Sequence, residues 1–500
     1  MIFYKNLKKP RKISKKDLVF SIFEDGMKTN KDDSIAKSNE CKTFYNIKVS
    51  KGALENGLGF EDLKVPANTE NLKDLHTFNF VGRVDEIKTI FCERWYSEEK
   101  GKYEYLILMT DSHGTVWFIF LIDKYNGFVW NLSENVSSQP LSCATYRIGT
   151  KDCTVMFTEE GMQYFASGVQ GVYPNVPAFI SSLLYYGRFF GIKNEGKNNL
   201  VYTVNTDLRN WDDTATSVIE FLDNRGAFKK LILFNDYVYL FREFGITKIS
   251  IYTAKNDFAF SHLYISPSYI FEKSISVCGE KIYFATRDGI YSFDGKSAEK
   301  LKTDYSEMFC NLDNTNCSGE SFNGKYYLAT RYDFGDGQNV GCENTTFENN
   351  VLIEIDVKTD DVEILRGVDI RNLIRVENPY MNKLCATFNY ANKQRIGQLT
   401  NDGKLFDIGT QKEWTSFMTD LGECGKRKKI KQIFIDTKYD CEVKILSDES
   451  EKILNFEGKN QTQMQFLSIY GQKFQFSFKS YGNDIKICKP MVIFEICEWE

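Results

Sequence analysis

The sequence predicts an all-β chain: a β-propeller of about seven blades followed by a small C-terminal β-sandwich. Three observations carry this reading. First, a strand-and-turn signal recurs at 44-residue intervals, as Leu240-Phe241-Arg242, Phe284-Ala285-Thr286-Arg287 and Leu328-Ala329-Thr330-Arg331. These run into turns at Gly245, Asp288-Gly289 and Asp333-Phe334-Gly335. A repeat of that length, with strands on both sides of a Gly turn, has the size of one four-stranded blade. Second, the 40 Phe and 28 Tyr suit pleated surfaces, while the 8 Pro leave most turns to Gly, Asn and Asp. Third, the rhythm changes near Asp407, and Phe474, Phe476 and Phe478 then alternate with Gln475 and Ser477. Alternation with period 2 marks a sheet with one buried face.

Residues 1–75 read as an N-terminal arm that supplies one or more closing strands, with a compact unit from Thr43 to Gly59. The propeller occupies 76–408. Its strand signals include Tyr105 to Met109 and Val116 to Ile122 around His113-Gly114, and Thr154 to Phe157 before Gly161. In 178–192, Gly187 and Gly191 flank an aromatic pair and favour strand and turn over helix. Lys230 to Phe234, Tyr237 to Phe241 and Ile246 to Ile251 form a meander whose tight turn is Asn235-Asp236. Lys281 to Ala285, Gly289 to Phe293 and the Asp294-Gly295 turn form the next meander. Lys325 to Thr330, Val351 to Ile355 and Val362 to Leu365 form another, and Lys383 to Asn389 with Arg395 to Leu399 complete the series. Anchors near 114, 161, 207, 245, 289, 333 and 390 count seven blades; the anchor at 207 comes from spacing alone, so six or eight also fit. The sandwich occupies 409–500, with strands at 432–436, 441–446, 452–456, 463–467, 473–478 and 491–496.

Composition narrows the function. Hydrophobic content of 42% and aromatic content of 15% exclude a largely disordered chain. A net charge of −5 implies no bulk attraction to nucleic acid, but two basic runs stand out. One holds Lys5, Lys8, Lys9, Arg11, Lys12, Lys15 and Lys16; the other holds Lys426, Arg427, Lys428, Lys429 and Lys431. Each reads either as a solvated segment or as contact with a polyanion such as DNA. The charged start argues against a signal peptide, and the most apolar run, Trp117 to Ile122, is too short to span a bilayer. The 13 Cys are odd in number, lack C-x-x-C spacing and read as reduced thiols, with Cys310 and Cys317 as the closest pair.

No catalytic constellation, cofactor site or metal site emerges. His76, His113 and His262 are too far apart in the sequence to suggest a metal pair or triad. Asp333-Phe334-Gly335 has no accompanying kinase motifs, and the segment with Asp336 and Gly337 lacks the alternating carboxylates of a calcium loop. Asp207 with Trp211 and Asp111 with Trp117 miss the Asp-to-Trp spacing of a sialidase Asp box.

Asn46-Ile47-Lys48-Val49-Ser50-Lys51-Gly52-Ala53-Leu54, ending in Gly57-Leu58-Gly59, resembles the opening element of β-propeller virion proteins of tailed bacteriophages, the tail nozzle (tail tubular protein B-like) and tail hub families. The segments around Tyr186-Gly187-Arg188, Trp211, Ala227-Phe228, Tyr283-Phe284, Asp288-Gly289-Ile290-Tyr291 and Phe293-Asp294-Gly295 resemble the same proteins. Asn56 departs from the basic residue common before the last Gly of that element. The resemblance implies a propeller decorated by β-sandwich domains, assembled as a homo-oligomeric ring around the DNA exit channel. It implies a structural role, with other tail or neck proteins as partners, no enzymatic activity, assembly in the host cytoplasm and residence in the virion. The run Lys426, Arg427, Lys428, Lys429 and Lys431 is then the candidate for non-specific contact with DNA in the channel. Two alternatives stand beside it: a module that binds host-surface glycans through exposed aromatics such as Trp95-Tyr96 or Trp211, and a glycan-processing enzyme.

Overall fold

The computed structural model describes residues 41–497, apart from 67–74, 78–86, 98–100, 112–115, 122–126, 132–139, 149–150, 167–168, 196–197, 253–256, 302–313, 333–346, 360, 378–380, 391–392, 407 and 483. Among the described residues the chain is all-β, with strands in small antiparallel sheets and only three single turns of 3₁₀ helix. It divides into two compact units.

One unit comprises Phe60–Asp361 and Arg366–Leu399. Six sheets built mainly from it follow one plan, four strands neighbouring each other in chain order. The first holds Ile87–Ser97, Lys102–Asp111, Val116–Leu121 and Gly127–Asn131; the second Ser142–Ile148, Lys151–Thr158, Gly161–Ala166 and Val169–Tyr173. The third holds Phe179–Tyr185, Arg188–Lys193, Asn199–Thr203 and Thr216–Glu220; the fourth Phe228–Phe234, Tyr237–Arg242, Gly245–Ile251 and Phe258–Ile265. The fifth is Ser276–Cys278, Lys281–Thr286, Gly289–Phe293 and Ala298–Leu301; the sixth Ser318–Phe322, Lys325–Thr330, Val351–Asp356 and Val362–Arg366. The seventh has six strands, ordered Ile370–Glu377, Asn382–Tyr390, Lys393–Thr400, Gly59–Asp62, Lys404–Leu405 and Ile408–Gly409, so its fourth strand comes from early in the chain.

The hairpins follow from turn chemistry. Tyr186-Gly187, Asn235-Asp236 and Asn323-Gly324 join first to second strands with both central residues at positive φ. That is the two-residue turn whose twist matches the strands on either side. The 44-residue repeat marks the second strands, which begin at Tyr237, Lys281 and Lys325. The anchor inferred at 207 does not mark a hairpin turn of its sheet. Asp207 instead caps a 3₁₀ turn, Leu208–Asn210, in the connection between the third and fourth strands of the third sheet.

Apolar faces hold successive sheets together. Val155, Phe157 and Met162 of the second sheet share a core with Phe179, Phe189 and Val201 of the third. Phe190 and Leu200 of the third pack with Phe228, Leu231 and Leu240 of the fourth, and Phe241 and Ile246 with Ile282, Phe284 and Phe293 of the fifth. Ile90, Ile107 and Met109 of the first sheet share a core with Ile374, Val376, Cys385 and Ile396 of the seventh. Each fully buried Phe or Ile contributes about 1.5–3 kcal/mol.

The other unit comprises the described residues up to Gly59, Val362–Leu365 and Thr400 onward. Its two main sheets have five strands each. One is ordered Cys41–Tyr45, Gln411–Ser416, Phe474–Tyr481, Cys441–Ser447 and Glu451–Phe456; the other Ile47–Ser50, Ala53–Asn56, Lys486–Cys497, Arg427–Thr437 and Gln461–Gly471. Phe474, Phe476 and Phe478 are all fully buried, and the Trp414 ring lies 5.9 Å from that of Phe478. The strands of 41–56, read in the sequence as part of an arm, are built into these sheets, because Cys41–Tyr45 pairs with Gln411–Ser416 and Ala53–Asn56 with Lys486–Cys497.

The Asn46-to-Gly59 element has a physical account. Asn46 takes φ +62°, and its side-chain amide donates to the Gln411 carbonyl at 2.5 Å. Lys51-Gly52 is a tight turn at φ +51° and +74°. A Cβ at Gly57 would lie 2.7 Å from the Ile47 nitrogen and 2.9 Å from the Asn46 carbonyl carbon, so a side chain there would displace backbone. Glu363 Oε1 accepts the next amide, Leu58 N–H, at 2.7 Å.

Candidate functional site

The basic run at 426–431 is largely strand. Arg427–Thr437 is a central strand of its sheet. Side chains alternate faces along a strand, so Lys428 is in phase with buried Ile430 and is itself fully buried. Its Nζ donates to the carbonyls of Lys426 at 2.8 Å and Gln472 at 2.7 Å. Burial pushes its pKa down, against the pull of Asp420, Glu423 and Asp448.

The other four cations have local partners. Arg427 makes a forked contact with Glu449, Nε to Oε1 at 2.8 Å and Nη2 to Oε2 at 2.6 Å, which raises the arginine and lowers the carboxylate pKa. Lys426 pairs with Glu423 at 2.6 Å and Lys431 with Glu495. Lys429 stands 5.2 Å from the centre of the Tyr470 ring, and its hydrogen bond lowers that phenol's pKa. The run is therefore one buried ammonium and four cations already engaged at home. A bulge between Ile430 and Gln432 shifts the register at Lys431.

The other sequence candidates are dispersed. Asp207 accepts the backbone amide of Arg209 and a fork from its guanidinium, and Trp211 packs on Phe179 and Phe189 while donating to Asp213 at 2.9 Å. His262 lies on Phe258–Ile265, with Nδ1 2.9 Å from Thr247 Oγ1; burial lowers its pKa. His76 lies on the short strand Leu75–Thr77. The N-terminal basic run, His113, Asp333, Phe334, Gly335, Asp336 and Gly337 lie outside the described residues. Among the described residues no group of three or more His, Cys, Asp or Glu is placed to hold a metal ion. Among them, too, no helix is long and apolar enough to cross a membrane.

A site that the sequence did not announce lies among the seven first strands. Each of these strands ends its sheet. Residues of these strands, or of the turns beside them, line one cavity of about 730 Å³. An end strand has an unpaired edge, so its backbone groups need other partners. Side chains supply several of them from one sheet to the next. Ser142 Oγ donates to the Phe179 carbonyl at 2.6 Å, and Ser181 Oγ accepts the Leu231 amide at 3.0 Å. Lys230 Nζ donates to the Ile275 carbonyl at 2.8 Å, and Ser318 Oγ accepts the Leu373 amide at 2.9 Å; Ser276 Oγ links side chain to side chain, donating to Glu320 Oε1 at 2.9 Å.

No model of a known protein family matches the chain, and no curated protein matches it.

The cavity is charged. Lys88, Lys229, Lys230, Lys273 and Arg375 line it, and so do two carboxylates, Glu272 and Glu320. Lys229 lies 3.5 Å from Glu243, and Arg375 pairs with Glu377. Burial pushes the Lys230 pKa down, against the pull of Glu320 and Glu272. Neighbouring lysines at 229 and 230 look unremarkable in the sequence. Their convergence with residues more than 100 positions away on both sides follows only from the sheet order.

Proposed function

We propose that this chain is a structural component of a bacteriophage tail or neck. In this reading the seven sheets are the blades of a seven-bladed β-propeller and the two five-stranded sheets form a β-sandwich. The protein works by contact with neighbouring tail proteins around the DNA exit channel, as a homo-oligomeric ring. It is assembled in the cytoplasm of the infected bacterium, is carried in the virion and catalyses no reaction.

The observation that carries the proposal is the element Asn46 to Gly59. It bears the resemblance to phage propeller proteins, and the chain leaves it directly into Gly59–Asp62, the early strand that pairs into the seventh sheet beside Lys393–Thr400. A ring closed by an early strand on a late sheet exposes no open sheet edge between its ends, which suits a propeller. The core shared by the first and seventh sheets supports the same closure.

Negative-stain microscopy of the purified protein, with native mass measurement, tests the assembly. Rings of one defined order are expected, alone or on a portal or adaptor template, with neighbouring reading frames encoding portal, capsid or tail proteins. A protein that stays monomeric on every such template and releases sugar from bacterial glycans would overturn the proposal.

A further inference from the structure

We infer that the cavity among the seven first strands is a binding site for a small oxyanion, a phosphate- or carboxylate-bearing molecule. Its volume of about 730 Å³ is of the size that holds a small organic ligand. What selects the ligand's chemistry is the balance of hydrogen-bonding groups left over after the sheets have been joined.

Lys230 is central. An ammonium has three N–H donors and no acceptor. One of the three is used by the Ile275 carbonyl. No carboxylate pairs with this ammonium among the described residues, and Glu320 and Glu272 act on it only at longer range. Its other two donors have no acceptor among the described residues, and the half-buried ammonium lines the cavity, where a ligand can accept them. Ser181 and Ser318 each spend their oxygen on a backbone amide, which leaves the hydroxyl proton to donate. Lys273, exposed at the cavity lining, adds a further cation.

On the acceptor side, Glu320 already takes the Ser276 hydroxyl and the Ser321 amide. Glu272 is the one lining carboxylate with no hydrogen bond of its own among the described residues, and it opposes an anion. Donors outnumber acceptors, and a partly enclosed wall strengthens each charge's field. A ligand rich in acceptors and negative charge satisfies both conditions, whereas a cation satisfies neither.

Calorimetric titration of the full chain with pyrophosphate, and separately with citrate, tests the inference and separates the two sources of oxyanion. Saturable one-site binding of at least one is expected. Lys230→Met, which keeps the aliphatic stem, should weaken it by about tenfold or more, the loss of a charge-assisted hydrogen bond. Glu272→Gln removes the opposing charge and should tighten it about threefold, a gain that misfolding cannot imitate. Lys459→Gln, on the other unit, should leave it unchanged. Failure of the wild-type chain to bind either anion saturably would overturn the assignment. So would binding that Glu272→Gln weakens, or that Lys459→Gln weakens as much as Lys230→Met. If Lys230→Met does not fold, Glu272→Gln decides alone.

Discussion

Arg395 and Asp62, 333 positions apart in the chain, form a two-pronged ion pair, Nε to Oδ1 at 2.9 Å and Nη2 to Oδ2 at 2.5 Å. It fastens the early strand Gly59–Asp62 to Lys393–Thr400. Around it, Gln398 Nε2 donates to Glu61 at 2.6 Å, Leu63 N–H to the Ile396 carbonyl at 2.9 Å, and the Phe60 ring meets that of Phe388 edge-on at 4.8 Å. Charge-assisted forks are the stronger kind of surface pair. Asp62→Ala and Arg395→Ala should each lower unfolding free energy by about 1–3 kcal/mol, with a coupling near 1 kcal/mol in the double-mutant cycle. Denaturant titration measures both. Additive losses would show that the pair does not fasten the strand.

Lys412 gives the fold a pH dependence. It is fully buried, donates to the carbonyls of Gly403 and Thr410, both at 3.2 Å, and has its pKa pushed down to about 8 from the ordinary 10.5 by burial, against the pull of Asp484 and Asp402. Between those two values the unfolded chain binds more protons than the folded one. Unfolding free energy therefore rises with pH across that window, and the penalty is fully present below it. The full span is worth about 3 kcal/mol. Buried thiols and phenols, whose pKa values are raised, slope the other way at high pH. The difference between wild type and Lys412→Met isolates the lysine, and it should grow in favour of the wild type from pH 8 to 10.5. A constant difference would rule out the titration.

Local chemistry made part of the fold legible. The second strands at 237, 281 and 325 could be seen because the same strand, turn and strand recur in register. The third sheet broke the rhythm. Its Gly191 lies inside a strand beneath Phe179, where a Cβ would come within 2.6 Å of the ring, and is not a turn. The pairing of 41–56 with the C-terminal strands left no local trace, since long-range register is set by the partner. Lys428 did leave one. Lys428 and Ile430 alternate with Arg427 and Lys429, and that phase was hidden under the charge of the run.

The thiols divide by environment. The described residues hold eleven cysteine thiols, and Cys424 is the exposed one. Burial pushes the Cys385 thiol up to about 12 and the Cys441 thiol to about 11, so little thiolate is present near neutral pH. In native protein an aromatic disulfide reagent should consume Cys424 first and the buried thiols only on unfolding. Denatured, unreduced protein should release most of its thiols. Fewer than about five would contradict the reading of these residues as reduced thiols.

The basic run can be taken apart residue by residue. Lys426 and Lys429 reach outward, so Lys426→Gln with Lys429→Gln should leave the melting temperature within about 1 °C, as surface charges usually do. Lys428→Ala is different in kind. It removes the donor to two carbonyls and the buried stem beside Ile430, at a cost of about 2–4 kcal/mol. A fourfold Gln variant that includes Lys428 therefore cannot separate folding from DNA contact, whereas the outward pair can. If that pair faces DNA, its loss should weaken binding to duplex DNA at low salt and flatten the dependence on salt by about two phosphate contacts. Binding isotherms at several salt concentrations measure this slope. An unchanged slope would mean that these cations serve only their neighbours Glu423 and Tyr470, and the run would carry no part of a DNA channel.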